Sequence, residues 1–233
     1  MTIHKRIGAL VIGLLCCSSL MAQVDNTQTV DFGLEIQPII ESACLNCHNT
    51  RKAEGNLRLD SLEAAIRGGH SGPAVVVGKP EESALYTLTA LTADHDDIMP
   101  PNRPLSKVQT ERLRKWILEG ACWSESKELQ VRPRIDFVKH IQPILEQNCL
   151  SCHSRTNPEA GYNLSTRKEA FKSGFDAPYI VRFRPHASLL YTLAIVEKDA
   201  DELMPPANAG GPLAADAIET LRLWISQGAV WPT

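Results

Sequence analysis

The sequence predicts an all-α protein built from two tandem helical domains. Three observations carry that prediction. The content of 43% hydrophobic and 22% charged residues belongs to a globular chain, not to a disordered or collagen-like one. Apolar residues recur at helical spacing. Finally, the chain repeats itself: an offset of 105 residues carries Asp31-Phe32 onto Asp136-Phe137, Ile36-Gln37-Pro38-Ile39 onto Ile141-Gln142-Pro143-Ile144, and Met99-Pro100-Pro101 onto Met204-Pro205-Pro206. After three extra residues in the stretch from Asn208 to Pro212 the offset becomes 108, and Leu113, Trp116, Ile117, Gly120 and Trp123 meet Leu221, Trp224, Ile225, Gly228 and Trp231. Two complete copies make a tandem pair; a solenoid would need three or more shorter units.

The expected order is residues 1–22 as an export signal, 23–123 as the first domain, 124–134 as a linker and 135–233 as the second domain. His4, Lys5 and Arg6 form a positive start, Ile7 to Leu15 an apolar run, and Ser18 to Ala22 a small-residue approach to cleavage. The run is too short to span a bilayer, so the mature chain is expected to be soluble and periplasmic or otherwise exported. Membrane association is expected only if the signal is retained or lipidated, and Leu15 and Cys16 are not the small residues that precede a lipidated cysteine. In each copy a first helix carries Ile36, Ile39 and Ile40, or Ile141, Ile144 and Leu145, with proline near its start. A second is expected over Ser61 to Arg67 and Thr166 to Lys172. A third begins near Ser83 or Ser188, read as caps or near-cap residues. The last presents Leu113, Trp116 and Ile117, or Leu221, Trp224 and Ile225, and stops at Gly120 or Gly228. The apolar faces of the first and last helices are natural partners. Ser124 to Arg134 is polar and contains Pro133, as a short linker would.

Charge narrows the partners. Lys plus Arg number 24 against 27 Asp plus Glu, a net charge of −3; losing Lys5 and Arg6 with the signal leaves 22 against 27, or −5. Nothing here builds a nucleic-acid footprint.

Signal removal also leaves five cysteines, at 44, 47, 122, 149 and 152. An exported chain makes disulfides the default reading, but the spacing argues otherwise. Cys44-Leu45-Asn46-Cys47-His48 and Cys149-Leu150-Ser151-Cys152-His153 are both C-x-x-C-H, the attachment sequence of c-type haem. On a helical turn, positions i, i+3 and i+4 share a face. Two thiols can therefore form thioethers to the two vinyl groups of one porphyrin while the next residue offers imidazole to the iron. Chance would supply such a motif on the order of 0.006 times in a chain of this composition. Zinc sites and thioredoxin-like redox pairs remain the alternatives; the second lacks a βαβ context, and the first leaves the methionines unexplained.

A six-coordinate haem iron needs a second axial ligand, commonly His or Met. Met99 and Met204 each lie 51 residues after their motif histidine, and no histidine outside the motifs is repeated: His70, His95, His140 and His186 face Phe175, Ala200, Glu35 and Glu81. The prolines bias the backbone to an extended strap that would hold the thioether. Each iron is thus expected to have His/Met ligation and a fairly high potential.

The order C-x-x-C-H, Gly-x-Leu-x-Leu (Gly55, Leu57, Leu59), Pro…Ser-x-Leu-Tyr, Met-Pro-Pro and Leu-x-x-Trp-Ile-x-x-Gly-Ala-x-Trp resembles the Planctomycete-type cytochrome c domain, a branch of the class I cytochrome c fold. The resemblance covers nearly the whole mature chain, twice, and departs where Tyr162-Asn163-Leu164 replaces Leu57-Arg58-Leu59. It implies two covalent haem c groups, held by Cys44, Cys47, His48 and Met99 and by Cys149, Cys152, His153 and Met204, and first and last helices that cross. The function expected is single-electron transfer between redox partner proteins, by a carrier with no substrate of its own. A dihaem peroxidase-like enzyme and a noncatalytic redox module of a larger complex are the alternatives; the first needs a labile iron site, against a Met-Pro-Pro strap in both copies.

Three smaller expectations complete the reading. Cys122, opposite Val230, is expected to be a buried small hydrophobe rather than an intermolecular disulfide partner. Asp94, Asp96 and Asp97, repeated as Asp199, Asp201 and Glu202, form a solvated loop or an acidic rim that steers a basic partner. Arg58, Arg182 and Arg184 are candidates to pair with haem propionates.

Overall fold

The computed structural model describes residues 29–124, 129–172, 178–198 and 200–232; the expected signal segment lies outside them. The Asp31 carboxylate accepts from the Leu34 N–H at 2.8 Å and caps a π-helical turn, Phe32–Ile36. The turn runs into α1 (Gln37–Ala43), whose first turn holds Pro38, where a missing N–H costs nothing. Ser61 caps α2 (Leu62–Arg67) by accepting from the Ala64 N–H at 3.2 Å. After α3 (Ala84–Thr87) comes α4 (Lys107–Leu118), opened by a capping box between Ser106 and Gln109. The second copy repeats the plan: a π-helical turn Phe137–Ile141, α5 (Gln142–Asn148), α6 (Arg167–Ala170), α7 (Leu189–Thr192) and α8 (Ala215–Ser226). Among the described residues there is no strand, only the isolated bridges His48–Ala53, Gly69–Gly72 and His153–Pro158. No described helix is long and apolar enough to cross a membrane.

The two ends of each copy meet through aromatic rings. Phe32, from the entry turn, stacks on Trp123 at 4.3 Å and tilts against Trp116 of α4 at 5.8 Å; Phe137 repeats this with Trp231 at 4.0 Å and Trp224 at 5.8 Å. Both central tryptophans are fully buried, and each indole N–H donates to the carbonyl just past its helix end, Cys122 or Val230, at 3.0 Å. The indole thus buries a large apolar area with its polar atom satisfied. The contact expected between first and last helices is made by the π-helical turn that leads into α1 or α5, packed on α4 or α8.

Two expectations are corrected by the packing. Ser83 and Ser188 stand at the N-cap positions of α3 and α7, yet neither side chain bonds its own helix. Fully buried, Ser83 accepts from the Val76 N–H at 2.9 Å and donates to the Lys79 carbonyl at 2.8 Å; Ser188 does the same with Val181 at 2.8 Å and Arg184 at 2.9 Å. Each hydroxyl satisfies buried backbone groups of the loop before its helix, a stronger demand than a helix end of one turn. Cys122 is exposed, because Ala121 beside it occupies the buried place against Trp116.

The copies are bound together by residues that are not repeated. Phe183 of the second copy is fully buried within the first copy's core cluster, with the Arg112 guanidinium 5.2 Å over its ring. Its counterpart is Gly78. Both adopt left-handed backbone, φ +75° at Gly78 and +66° at Phe183, and donate to the matching carbonyls of Ile117 and Ile225 at 2.9 Å. Glycine takes that conformation without strain and phenylalanine does not, so the ring is kept where the repeat would favour glycine. Opposite it, a Cβ on Gly228 would come within 2.8 Å of the ring, which only glycine admits. Beside the ring the buried Glu35 carboxylate accepts from Arg112 at 2.8 Å and from Arg184 of the other copy at 3.2 Å. Gln109 donates to the Gln227 carbonyl at 2.9 Å, and the Gln227 side chain closes on Ile135 and Pro133. The connecting segment is also engaged: Leu129 is buried in the first core, the N–H groups of Gln130 and Arg132 donate to Glu41, and Arg134 donates to the carbonyls of Arg103 and Pro104.

Candidate functional site

Each C-x-x-C-H motif sits on the turn that continues α1 or α5. The N–H groups of Cys47 and His48 both donate to the Cys44 carbonyl at 3.1 Å, and those of Cys152 and His153 to the Cys149 carbonyl at 3.2 and 2.9 Å. The histidine carbonyl is pinned in turn by the N–H of Leu59 at 2.9 Å or Leu164 at 2.8 Å. The turn therefore shows both thiols and the imidazole to one cavity. In the first copy Cys44, Cys47, His48 and Met99 line a cavity of about 180 Å³, closed by Leu57, Leu59, Leu85 and Leu88. In the second, Cys149, Cys152, His153 and Met204 line one of about 400 Å³. All eight residues singled out by spacing are thus brought together, four to a cavity.

The far wall is held by backbone. The Met99 N–H donates to the Leu88 carbonyl at 3.1 Å and Met204 to Leu193 at 3.0 Å, tying each Met-Pro-Pro strap to the end of α3 or α7. Ile98 and Leu203, just before the methionines, are buried anchors. Met204 itself is 36% exposed, unusual for a large apolar side chain but expected of one that faces a cavity. Both Met-Pro bonds are cis. On the near side Gly69 lets a turn approach: a Cβ there would meet the Gly55 carbonyl oxygen at 2.5 Å.

The donor chemistry fits haem c. His48 Nδ1 lies 3.1 Å from the Glu54 carbonyl; with the proton on Nδ1, the Nε2 lone pair is left for a metal. His153 Nδ1 is buried without a partner. The motif cysteines are not disulfide-bonded. Burial pushes the Cys44 thiol up to about 12 and Cys149 to about 11, so both are neutral at physiological pH. Among the described residues no group of three or more His, Cys, Asp or Glu is placed to hold a metal ion.

The arginine candidates are employed elsewhere. Arg58 pairs with Asp60 at 3.0 Å, and Arg184 with Glu35. Arg182 donates to the carbonyls of Gly228 and Ala229 while stacking over Phe171 at 4.1 Å. None lines either cavity. Of the unrepeated histidines, His95 and His140 accept from backbone N–H groups two and four residues away, whereas His70 reaches the wall of the first cavity. Asp94, Asp96 and Asp97 are exposed; Asp201 and Glu202 are exposed and border the second cavity, and Asp199 lies outside the described residues. Sequence reasoning missed Tyr179, a buried wall of the second cavity whose counterpart is Ala74. The repeat alignment held that signal, an aromatic opposite alanine.

Comparison with curated proteins and with solved structures gives no match. The model of the Planctomycete cytochrome C family matches residues 44–103 and 149–208, together more than half of the chain. Each matched stretch opens on the first motif cysteine and closes just past Met-Pro-Pro, spanning most of the residues that enclose each cavity. By that double match, the chain belongs to the Planctomycete cytochrome C family.

Proposed function

We propose that the protein is an exported dihaem c-type cytochrome that passes single electrons between partner proteins, in which His48 and Met99 would hold the iron of one domain and His153 and Met204 that of the other. The observation that carries this reading is the convergence, in each copy, of both motif thiols, the motif imidazole and the strap methionine on one cavity. Haem c, when bound, supplies a one-electron ferric/ferrous couple. The chain's part is to hold and tune it. Cys44 and Cys47, with Cys149 and Cys152, give covalent attachment, so no deep pocket is needed. The Glu54 carbonyl fixes the His48 ring. The leucines around Cys44 keep water from the first cavity, and the tethered straps hold the thioethers in place across oxidation states. Thioether ligation raises the potential relative to bis-histidine ligation. The exposed aspartates before Met99 favour a basic partner, whose association would slow as salt rises.

A pyridine haemochrome assay on protein matured with the c-type attachment machinery should report two haems per chain; one or none refutes the reading. The near-infrared band of methionine on ferric haem should fall by half in Met99→Ala and in Met204→Ala and vanish in the double variant. A band unaffected by both substitutions refutes the ligand assignment. Peroxide turnover by half-reduced protein would favour an enzyme instead.

A further inference from the structure

The two cavities share their ligand sets but not their walls. Where the first copy has Leu57 and Ala74, the second has Tyr162 and Tyr179. Tyr162 is partly exposed, but Tyr179 is 6% exposed, lines the cavity and keeps its hydroxyl buried with no partner. A buried phenol ordinarily finds an acceptor. The carboxylates bordering the cavity, Glu159, Asp201 and Glu202, are all exposed, and none accepts from it. Burial, with Tyr162 alongside, pushes the phenol's pKa up, so it stays a donor at any physiological pH. The group that this cavity is read as holding carries two carboxylates of its own, and the arginine candidates for them are spent elsewhere.

From this geometry we infer that Tyr179 is a positioning residue that donates a hydrogen bond to a propionate of the second haem and so sets its reduction potential apart from the first. The inference rests on the haem reading of the second cavity. A phenol bonded to a carboxylate draws charge from it, and a less electron-rich carboxylate does less to stabilise the positive ferric iron. Removing the hydroxyl therefore favours the ferric state of that haem alone. Ala74 offers nothing equivalent in the first copy.

The test is a spectroelectrochemical titration of the dihaem protein, wild type against Tyr179→Phe, with Tyr162→Phe as control. Tyr179→Phe keeps the ring and loses only the hydroxyl. One of the two midpoints should fall by a two- to tenfold change in the redox equilibrium, up to about 59 mV for one electron, and the other should stay put. The wave that moves should be the one also moved by Met204→His. Tyr162→Phe should move neither. Resonance Raman on the wild type gives a second measurement should the variant mature poorly: the propionate-bending band of one haem should shift on exchange into D2O. Two intact haems with a Tyr179→Phe titration superimposable on wild type, or no such D2O-sensitive band, overturns the assignment of Tyr179 while leaving the dihaem reading in place. Fewer than two haems in the wild type would bring down both.

Discussion

Replacing Phe183 tests whether the two copies stand as one unit, because this second-copy ring is buried in the first copy's core. Truncating a fully buried phenylalanine to alanine costs about 3–5 kcal/mol. The upper half of that range is expected here, since the ring also carries Arg112 at 5.2 Å and fills the space against Gly228. The backbone supplies a sharper test. With φ at +66°, any L residue at 183 pays about 1 kcal/mol or more in steric strain, which glycine does not. Glycine in place of alanine normally destabilises a protein through the entropy of the unfolded chain; at 183 the order should reverse, with Phe183→Gly more stable than Phe183→Ala by about 1 kcal/mol. The assay is guanidinium unfolding of the haem-loaded protein followed by far-UV circular dichroism and the haem absorbance, each transition read by its own midpoint and m. Wild type should unfold in one transition and the variants in two, the first copy losing its shared core. A cost below about 1 kcal/mol for Phe183→Ala, or a glycine variant less stable than the alanine one, would refute the argument.

Glu35→Ala should cost about 3 kcal/mol, the low end for breaking a buried ion pair, because Arg112 and Arg184, 30% and 27% exposed, can regain water; a double-mutant cycle with Arg184→Ala should show strong coupling between copies, and additivity would contradict it. Ser188→Ala should cost about 1–3 kcal/mol by orphaning the buried Val181 N–H, and amide exchange at Val181 should speed up with it; unchanged protection would refute the role. Asp136→Ala should cost about 1 kcal/mol at neutral pH as a lost helix cap. The Lys139 N–H holds the Asp136 carboxyl below the usual carboxylate range, opposed by partial desolvation and helped by Arg103. A depressed acid stabilises fully above its unfolded pKa and loses that contribution as pH falls through its folded one, so the gap between variant and wild type should close on acidification; a gap constant down to about pH 2 would count against it.

The candidate site was the most legible part of the chain, because it is marked by rare residues at short spacing, repeated. Cys44, Cys47, His48 and Met99 could be assembled from position alone, and the structure puts them on one cavity. The helices were legible where the apolar period was clean; α6 ends at Ala170, short of the expected Lys172. What escaped was everything that differs between copies. Phe183 opposite Gly78 and Tyr179 opposite Ala74 look like drift in an alignment, since no local pattern says that a ring will be buried across a domain boundary or in a cavity wall. Ser83 and Ser188 misled because cap position and hydroxyl are visible in sequence, whereas the competing buried carbonyls and N–H groups are brought up by tertiary packing. The arginines misled likewise: their charge is legible, their partners are not.

The contact between the copies joins two different faces. The first copy offers the turn and helix bearing Glu35, Gln109 and Arg112; the second offers Phe183, Arg184 and Gln227. A head-to-tail contact between like units has no built-in end, since each unit that is capped on one side still shows the other face. Here the unused faces have been disarmed. The second copy has His140, Ala217 and Thr220 where the socket would be, and the first has Gly78, Lys79 and Glu119 where the plug would be. Duplication followed by such one-sided substitution gives a contact that joins these two copies and does not repeat itself on their outer faces.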